Sequence, residues 1–527
     1  MGETKNKEWL KTTLESAGER FKIISFTALI MALLSYTLLI ITGVTCPDGI
    51  CEGLTYYTAA GWASSNGRWA IRYLSRLTGN VVMPVVVVSI YCICICIVAL
   101  MLTDLLEIRK RVSIILMTSI MIVSPSVIAH FLYTYMALAY SIACMLAAFF
   151  VWILYKGRKK HKYLLAVSAL TVSLGLYQSY IGFTILLIVL LFCTELIECV
   201  SWKTLGMQIA EYIVCGGISC GLYIVIMKID LKIHDLSPAS RTASFSLKTI
   251  IDSLYMSIIN AYKTWGAYFD DRMFHRNFIY LLFLLIAFLF LCVYLLKLYK
   301  QKKYINMVLL IFLICMIPVA ANFIGIIIPE FKIYLLMQYQ YVLIFVFFIG
   351  ILERIDFKNK WIYILKAMEY LLVCSIAWTY LISANATYTC YKLSYDHINF
   401  ETSLILADIY KLPDYVPSET PVIFAGFPNA YELVENVDTY KYAIYYTNNP
   451  VFWEDMNGAK GNRYWYLMNY FGVDGKNFKN SEYEDIIYSD EFAQMPVWPK
   501  QGSIKMINEM VVVKFTDAPP AVSTMPQ

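Results

Sequence analysis

The sequence predicts a mainly α-helical, polytopic membrane protein followed by a C-terminal α/β domain. Of its 527 residues, 59% are hydrophobic and only 15% are charged, which is more apolar surface than one soluble core can bury. Many apolar runs reach the ~20 residues that a helix needs to cross the ~30 Å of hydrocarbon in a bilayer. Lipid is therefore the expected solvent for most of the chain.

The distribution of Lys and Arg between the apolar runs predicts eleven spans. Alternate short connections are rich in positive residues, namely 104–112, 156–162, 297–303 and 353–360. Because positive residues are retained in the cytoplasm, this alternation predicts a cytoplasmic N-terminus and an external C-terminus. The predicted spans are 21–44, 81–103, 113–129, 134–155, 163–177, 179–198, 207–228, 277–297, 304–328, 334–352 and 361–384. They form one membrane unit, 21–384, with long outer loops 45–80 and 229–277.

The two ends of the chain differ from this membrane unit. Residues 1–20 suit an amphipathic cytoplasmic helix, and the run that follows is too long for a cleaved signal peptide, so we expect a retained anchor. Residues 385–527 have a soluble composition and predict an extracytoplasmic domain. Within it we expect a helix from Tyr388 to Leu412 and buried strands from Pro421 to Gly426 and from Met510 to Phe515.

The first outer loop holds the candidate chemistry, because its acids lie at the membrane surface. Asp48 and Glu52 are the acids of this loop, and a carboxylate there can accept a proton from a sugar hydroxyl that attacks an anomeric carbon. Cys46 and Cys51 bracket Asp48, and a disulfide between them would fix its position. The alternatives are solvated loop acids and two free thiols, since spacing alone does not supply disulfide geometry.

A basic stripe follows in the same loop. From Gly61 to Thr78 the pattern is helical, and Arg68, Arg72 and Arg76 recur at every fourth residue, which predicts that they share one face. Such a helix would lie in the interface with its guanidinium groups directed at phosphates. These groups bind either a substrate phosphate or the headgroups of bulk lipid.

The second long outer loop ends in a group of charges. An amphipathic helix is expected from Ile250 to Tyr268, and Asp270 and Asp271 follow it, ahead of Arg272, His275 and Arg276. The paired acids, together with these three basic residues, are candidates to close over a phosphosugar. The alternative is a charged flank that ends one helix before the next span.

Two single residues in the short outer turns are further candidates. Lys332 is the one positive residue there, and either a lipid phosphate or Glu330 is its expected partner. His130 stands beside aromatic residues, where a histidine is either an acid or ligand, or a hydrogen-bonding residue at the interface.

A break in the long apolar run 163–198 carries a family resemblance. Gly175-Leu-Tyr-Gln-Ser-Tyr180 predicts a tight turn at the outer surface. This Tyr-Gln-Ser-Tyr turn after a Ser/Leu-rich helix resembles the GtrII family of membrane glucosyltransferases. The Gly67-Arg68-Trp69 element behind an acidic first loop and the soluble tail are similar to that family too. The likeness covers roughly 20–385.

The resemblance implies a bacterial GT-C type enzyme that takes a sugar from a polyprenyl-phosphate carrier on the non-cytoplasmic face and adds it to a surface glycan. Carried over by motif, the functional positions are the loop acid, the Gly-Arg pair and the Tyr-Gln turn, which fall on Asp48 or Glu52, Gly67, Arg68, Tyr177 and Gln178. The family pattern has adjacent acids, whereas these two are four residues apart, so both stay candidates for the base.

The leading hypothesis is therefore a glycosyltransferase that moves a hexose, expected to be glucose. Asp48 or Glu52 deprotonates the acceptor, while Arg68, Arg72 and Lys332 neutralise the departing phosphate. A monophosphate held by arginine does not demand a divalent ion, so we expect neither a metal nor another cofactor. The expected partners are the lipid-linked donor, the glycan acceptor, membrane lipids, a donor-synthesising glycosyltransferase and a flippase, but no nucleic acid.

Two other functions stay open. A transporter or flippase for a lipid-linked sugar usually places ionisable groups near the bilayer midplane and is often built from inverted repeats. The acids that we considered, Asp104, Glu195, Glu198 and Glu211, fall near inner span ends, and no internal repeat is evident. A glycan polymerase shares the lipid-linked chemistry, and the soluble tail does not exclude it.

Overall fold

The computed structural model describes residues 2–46, 48–50, 56–59, 61–157, 160–239, 247–329, 332–354, 360–426, 467, 471–473 and 478–519. The helices of the membrane unit are α1 Gly2–Thr42, α2 Trp62–Ser65, α3 Ile71–Leu77, α4 Pro84–Leu105, α5 Arg111–Val123, α6 Pro125–Leu132, α7 Thr134–Lys156, α8 Lys162–Leu176, α9 Tyr180–Ile197, α10 Trp202–Ile233, α11 Leu247–Phe269, α12 Arg276–Lys300, α13 Tyr304–Ala321, α14 Ile324–Ile327 and α15 Val342–Arg354. The remaining elements are α16 Lys360–Ile409, β1 Val422–Ala425, α17 Asn480–Ile487, α18 Asp490–Gln494, β2 Ile504–Ile507 and β3 Met510–Lys514.

The prediction of a mainly α-helical polytopic membrane protein is confirmed. Within the described ranges, nine helical segments are long and apolar enough to cross a bilayer, with α5 and α6 together forming one of them, and they correspond to nine of the predicted spans. The other two, 163–177 and 334–352, contain the shorter helices α8 and α15, of 15 and 13 residues. At 1.5 Å per residue each is only about 20 Å long, because a turn follows α8 and short 3₁₀ turns precede α15.

Small side chains bring the central helices together. Helix α7 packs against both α4 and α8. Its residues Ala139, Ala143 and Ala147 are buried and follow one another at four-residue spacing, so they lie on one face. Small residues at this spacing let neighbouring helices approach closely in a membrane, where van der Waals packing provides much of the attraction.

Ion pairs tie the basic connections together at one end of the bundle, which we call the basic end. Arg354 contacts Glu107 at 3.6 Å and Glu198 at 3.2 Å, and Arg20 contacts Asp104 at 2.8 Å. These residues belong to connections or span ends that the charge pattern assigns to the cytoplasm. We call the opposite end, which carries Asp48, the site end. Which membrane side each end faces stays a prediction.

Helix α16 is longer than predicted. It runs for 50 residues without interruption, so the expected span 361–384 and the expected helix from Tyr388 belong to one helix, and the boundary at 385 falls inside it. The physical reason is that 360–409 contains neither Gly nor Pro, the residues that most often end a helix. At the N-terminus, likewise, the amphipathic segment 1–20 and the first span form the single helix α1.

The described residues of the C-terminal region form a three-stranded sheet in the order β1-β3-β2. The predicted strands 421–426 and 510–515 are confirmed as β1 and β3, which pair in parallel with Val422 opposite Val511. Strand β2 is antiparallel to β3 and was missed because it is short and mostly half-exposed. Asn508 and Glu509 join the two strands with positive φ angles of 49° and 62°, which is the geometry of a two-residue hairpin turn.

Candidate active site

Asp48 lies against the corner between α6 and α7. After α1 ends, the hydroxyl of Thr45 donates to the carbonyl of Leu132 at 2.7 Å, and the backbone N–H of Cys46 donates to the same oxygen at 2.9 Å. A short helical turn then carries Asp48, whose carboxylate accepts a hydrogen bond from the Tyr133 hydroxyl. The corner therefore fixes both the backbone ahead of Asp48 and its side chain.

The environment of Asp48 suits a proton acceptor. Burial raises the pKa of the Asp48 carboxyl above its ordinary value, and the hydrogen bond from Tyr133 partly offsets this increase. A carboxylate that is poorly solvated gains more by accepting a proton, so it is a stronger base than one in open water.

Arg68 lies between two aromatic rings rather than on a helical stripe. The predicted single helix from Gly61 to Thr78 is wrong, because α2 and α3 are separated by a turn at Gly67, which has a φ of 75°. The Arg68 guanidinium lies 5.2 Å from the ring centroids of both Trp62 and Tyr177, and among the described residues its buried Nε has no hydrogen-bond partner. Cation–π contacts of this kind hold the guanidinium in place.

The other two arginines point elsewhere because of the same turn. Arg72 is only 7% exposed and donates from Nη2 to the Ser64 hydroxyl at 3.1 Å, which joins α3 to α2. Arg76 is exposed near the end of α3. The three arginines therefore do not form one surface.

The Gly-Arg element and the Tyr-Gln turn contact each other directly. Gln178 donates from Nε2 to the carbonyl of Asn66 at 2.8 Å and to the Tyr223 hydroxyl at 2.9 Å. A Cβ atom at Gly67 would lie 2.4 Å from that hydroxyl and 2.9 Å from the Gln178 amide nitrogen. Gly67 is thus needed both for its positive φ and for the space that it leaves.

A second glycine completes this contact. The carbonyl of Gly175 accepts a hydrogen bond from the backbone N–H of Ala70 at 3.0 Å. The ring of Trp69 packs so closely on Gly175 that a Cβ atom there would lie 2.4 Å from it. The predicted turn at 175–180 is confirmed between α8 and α9, and it supports the loop that carries Arg68.

Five tyrosines connect Asp48 with Arg68; this tyrosine cluster consists of Tyr57, Tyr133, Tyr135, Tyr140 and Tyr177. Near Asp48, the Tyr135 ring lies 6.3 Å from that of Tyr133 and 4.7 Å from that of Tyr57. Near Arg68, the rings of Tyr140 and Tyr177 are 4.6 Å apart. Tyr140 is within electrostatic range of both Tyr57 and Arg68, which joins the two halves. Rings and hydroxyls of this kind suit the apolar faces and hydroxyls of a sugar.

Comparison with known protein families shows which family this chain belongs to. The family model described as Glucosyl transferase GtrII matches residues 52–349, which is more than half of the chain. The chain belongs to the GtrII glucosyltransferase family. It is therefore a membrane glycosyltransferase, and the resemblance inferred from the motifs is confirmed. No curated protein and no solved structure matched the chain.

The GtrII match covers some of the candidate residues and leaves out others. It includes Arg68 and the Tyr177-Gln178 turn, begins at Glu52 and ends within α15. Asp48 lies just ahead of the match, and α16 lies after it. Glu52 and Cys51 fall outside the described residues. Cys46 is a buried free thiol, and the disulfide to Cys51 stays a prediction.

The acids of the second outer loop fit the charged-flank interpretation better than a role at this site. Asp271 forms a buried ion pair with Arg276, whose Nε lies 3.0 Å from Oδ2. The Arg276 guanidinium also lies 5.3 Å from the ring centroid of Tyr380 on α16. Asp270 is exposed and lies 3.5 Å from Arg272. The pair with Asp271 therefore ties the start of α12 to the preceding loop, and the expected amphipathic helix ahead of it is confirmed as α11.

Lys332 remains an exposed cation in a short turn. Its Nζ lies 5.7 Å from the ring centroid of Tyr334. Glu330, the partner considered from the sequence, is outside the described residues, so that pairing is not tested.

His130 is a hydrogen-bonding residue that organises the site end. It is fully buried, with Nδ1 2.7 Å from the Tyr91 hydroxyl and Nε2 2.7 Å from the carbonyl of Leu336. Because a carbonyl only accepts, Nε2 carries the proton and Nδ1 accepts from Tyr91. Both nitrogens are occupied, which favours the structural interpretation. The His130 ring also packs against that of Tyr140 in a tilted arrangement, with 4.6 Å between the centroids, and thus supports the tyrosine cluster.

The sequence analysis overlooked Glu369. This residue is fully buried in the membrane part of α16, and neither carboxylate oxygen has a hydrogen-bond partner in the part of the chain that the structure describes. An isolated charge is very costly in such a place. The signal was present, because Glu369 is a single acid in the middle of an apolar run.

The contact between the two motif elements can be tested with glycine substitutions. We expect Gly67→Ala to lower sugar transfer by about 10- to 100-fold, because the new methyl group displaces Gln178 and the adjacent Arg68. The measurement is the transfer rate of the purified variant, together with its thermal stability.

Gly79→Ala is the matched control for this prediction. Gly79 lies in the same loop with a φ of 62°, but a Cβ atom there meets nothing within 4 Å. In both variants an alanine adopts a left-handed conformation, which destabilises the folded protein by about 1–2 kcal/mol. Only Gly67→Ala also introduces a steric clash with Tyr223 and Gln178. Equal activities of the two variants would show that the contact with Gln178 does not matter.

Proposed function

We propose that this glycosyltransferase moves a hexose, expected to be glucose, from a polyprenyl-phosphate carrier to a cell-surface glycan, as a GT-C type enzyme. The observation that supports this most is the joint placement of Asp48 and Arg68 on one tyrosine cluster. A base and a phosphate-binding cation are the two groups that such a transfer requires. The GtrII match supplies the reaction class, and the donor and acceptor are our proposal.

The base acts on the acceptor. The carboxylate of Asp48, or of Glu52, accepts the proton of an acceptor hydroxyl while that oxygen attacks the anomeric carbon of the donor sugar. The bond from the anomeric carbon to the phosphate oxygen breaks, and its electron pair leaves with the polyprenyl phosphate. The proton stays on the carboxyl until it is released to water.

Arg68 acts on the leaving group. Its guanidinium is held by Trp62 and Tyr177, and no described carboxylate lies within ion-pair distance of it, so its charge is available for a phosphate. Lys332 is a second cation for the same lipid phosphate, whereas Arg72 is engaged with Ser64 and supports the loop. A monophosphate neutralised in this way does not demand a divalent ion, and we expect metal-independent transfer.

We also propose an orientation for the protein. The concentration of Lys and Arg in the connections at the basic end favours a cytoplasmic location for that end. The site end and the C-terminal domain then face outward, where the surface glycan lies. A separate glycosyltransferase must charge the polyprenyl phosphate, and a flippase must bring the charged lipid across the membrane.

Glu369 favours a second candidate function, a flippase for the lipid-linked sugar, because buried ionisable groups within spans often mark transport pathways. Purified protein in vesicles that contain radiolabelled polyprenyl-phosphate sugar separates the candidates. A glycosyltransferase moves the label to an added acceptor glycan, a flippase moves intact lipid between leaflets, and a polymerase lengthens a lipid-linked chain. Movement of intact lipid without transfer would overturn the proposal.

Replacement of the acids tests the catalytic base. We expect Asp48→Asn or Glu52→Gln to lower kcat at least about 100-fold, since general-base catalysis typically contributes 10²–10⁴-fold. Asp270→Asn, which removes an exposed acid at the site end, is the control and should transfer at the normal rate. If neither acid were required in a correctly folded enzyme, the assignment would fail.

Substitution of Arg68 tests the phosphate contact. Arg68→Lys keeps the charge but loses the planar group that lies between Trp62 and Tyr177, so we expect kcat/KM for the donor to fall about tenfold or more. Arg76→Lys makes the same change at an exposed position of α3 and should have little effect. A normal kcat/KM in Arg68→Lys would argue against a phosphate at this guanidinium.

The hydrogen bond from Tyr133 predicts a pH effect. This bond stabilises the charged carboxylate, so Tyr133→Phe should raise the pKa of Asp48 further. The base must be deprotonated to act, so activity falls as the pH drops through its pKa. With a higher pKa this fall begins at a higher pH, and the acidic limb of the profile of kcat/KM against pH should therefore shift to higher pH. Tyr180→Phe is the control, because it removes a buried hydroxyl that has no hydrogen-bond partner in the described ranges. An unmoved limb in Tyr133→Phe would exclude Asp48 as the base.

A further inference from the structure

Helix α16 reaches the segment that carries Asp48. The Tyr395 hydroxyl donates to the backbone carbonyl of Thr45 at 3.0 Å and accepts from the backbone N–H of the same residue at 3.3 Å. Tyr395 is only 7% exposed, and Thr45 is buried as well. One side chain on α16 therefore satisfies both polar backbone groups of a residue three positions before Asp48.

Within the described part of the chain, Tyr395 is the hydrogen-bond partner of both the N–H and the carbonyl of Thr45. The Thr45 side chain and the Cys46 N–H already use the carbonyl of Leu132, which holds the segment from the α6 side. Tyr395 holds the same segment from α16. Buried backbone groups that lose their partners are costly, so without Tyr395 the segment would have to move to satisfy them.

We propose that Tyr395 is a positioning residue for glycosyl transfer: it fixes the backbone from Thr45 to Asp48 so that the carboxylate stays against Tyr133. This inference rests on the proposed role of Asp48 as the base. Tyr395 lies beyond residue 349, where the GtrII match ends, so the part of the chain after the matched region completes the site.

Tyr388 provides a matched control on the same helix. Its hydroxyl donates to the backbone carbonyl of Ile128 at 3.0 Å, and its side chain is fully buried. Tyr388→Phe therefore removes a comparable buried hydrogen bond between α16 and α6, and the acceptor of that bond, Ile128, is not part of the Asp48 segment. Any general loosening of α16 should appear in both variants.

The first measurement is steady-state kinetics of the full-length protein in membranes. We expect Tyr395→Phe to lower kcat by about 10- to 100-fold, as small displacements of a catalytic group do, while the donor KM stays unchanged because Arg68 and Gln178 are held by other contacts. Tyr388→Phe should keep most of the wild-type kcat.

The second measurement does not depend on catalysis. Cys46 is 1% exposed and adjoins Thr45, so its thiol reports on the segment itself. After reduction, the protein is treated with a small maleimide, and labelling of Cys46 is followed by peptide mass spectrometry. We expect at least about tenfold faster labelling in Tyr395→Phe than in wild type or Tyr388→Phe, because opening of the segment exposes the thiol.

The two measurements separate this inference from the proposed function. Unchanged Cys46 labelling in Tyr395→Phe, or faster labelling with a normal kcat, would overturn the positioning role. Normal transfer by Asp48→Asn would instead refute Asp48 as the base, whatever the labelling shows. Faster labelling together with a lower kcat in Tyr395→Phe alone would support the inference.

Discussion

The packing of the Gly67 turn against the Tyr177-Gln178 turn is the contact on which the candidate site depends. One amide group, that of Gln178, holds the carbonyl of Asn66 and the Tyr223 hydroxyl, and the missing side chain at Gly67 leaves room for this arrangement. The turn places Arg68 over Tyr177, and Tyr177 leads through Tyr140 toward Asp48. Two short motifs that are more than 100 residues apart in the sequence thus form one structural unit.

The side chains that surround Asp48 and Arg68 affect their reactivity as much as the two charges do. Asp48 and Arg68 face rings and hydroxyls rather than other charges, and neither lies within ion-pair distance of an opposite charge among the described residues. Burial partly excludes water from Asp48, and this burial is the cause of its raised pKa. Electrostatic interactions are stronger in such surroundings, so one cation has a larger effect on a departing phosphate than it would in water.

Most local patterns in the sequence were reliable, and features that depend on tertiary contacts were missed. Apolar runs identified the nine spans that the described helices confirm, and the Gly175–Tyr180 break identified the turn, because each depends on neighbouring residues alone. The arginine stripe failed because one left-handed residue, Gly67, outweighed the helical spacing. The burial of Arg72 and the ion pair of Asp271 with Arg276 depend on partners that spacing cannot reveal. Glu369 was missed because only acids near the ends of spans were considered, although the apolar residues around it can be seen in the sequence.

Helix α16 places a constraint on the length of the chain. It contains Tyr395, which contacts the Thr45 backbone, and Ile405 and Ile409, which pack with strands β1 and β3. Each residue turns an α-helix by about 100° and advances it by about 1.5 Å. An insertion or deletion of one residue between Tyr395 and Ile405 would therefore rotate the sheet by more than a quarter turn about the helix axis. Loops accommodate such changes, whereas this connection fixes the angular setting of the C-terminal sheet relative to the membrane unit.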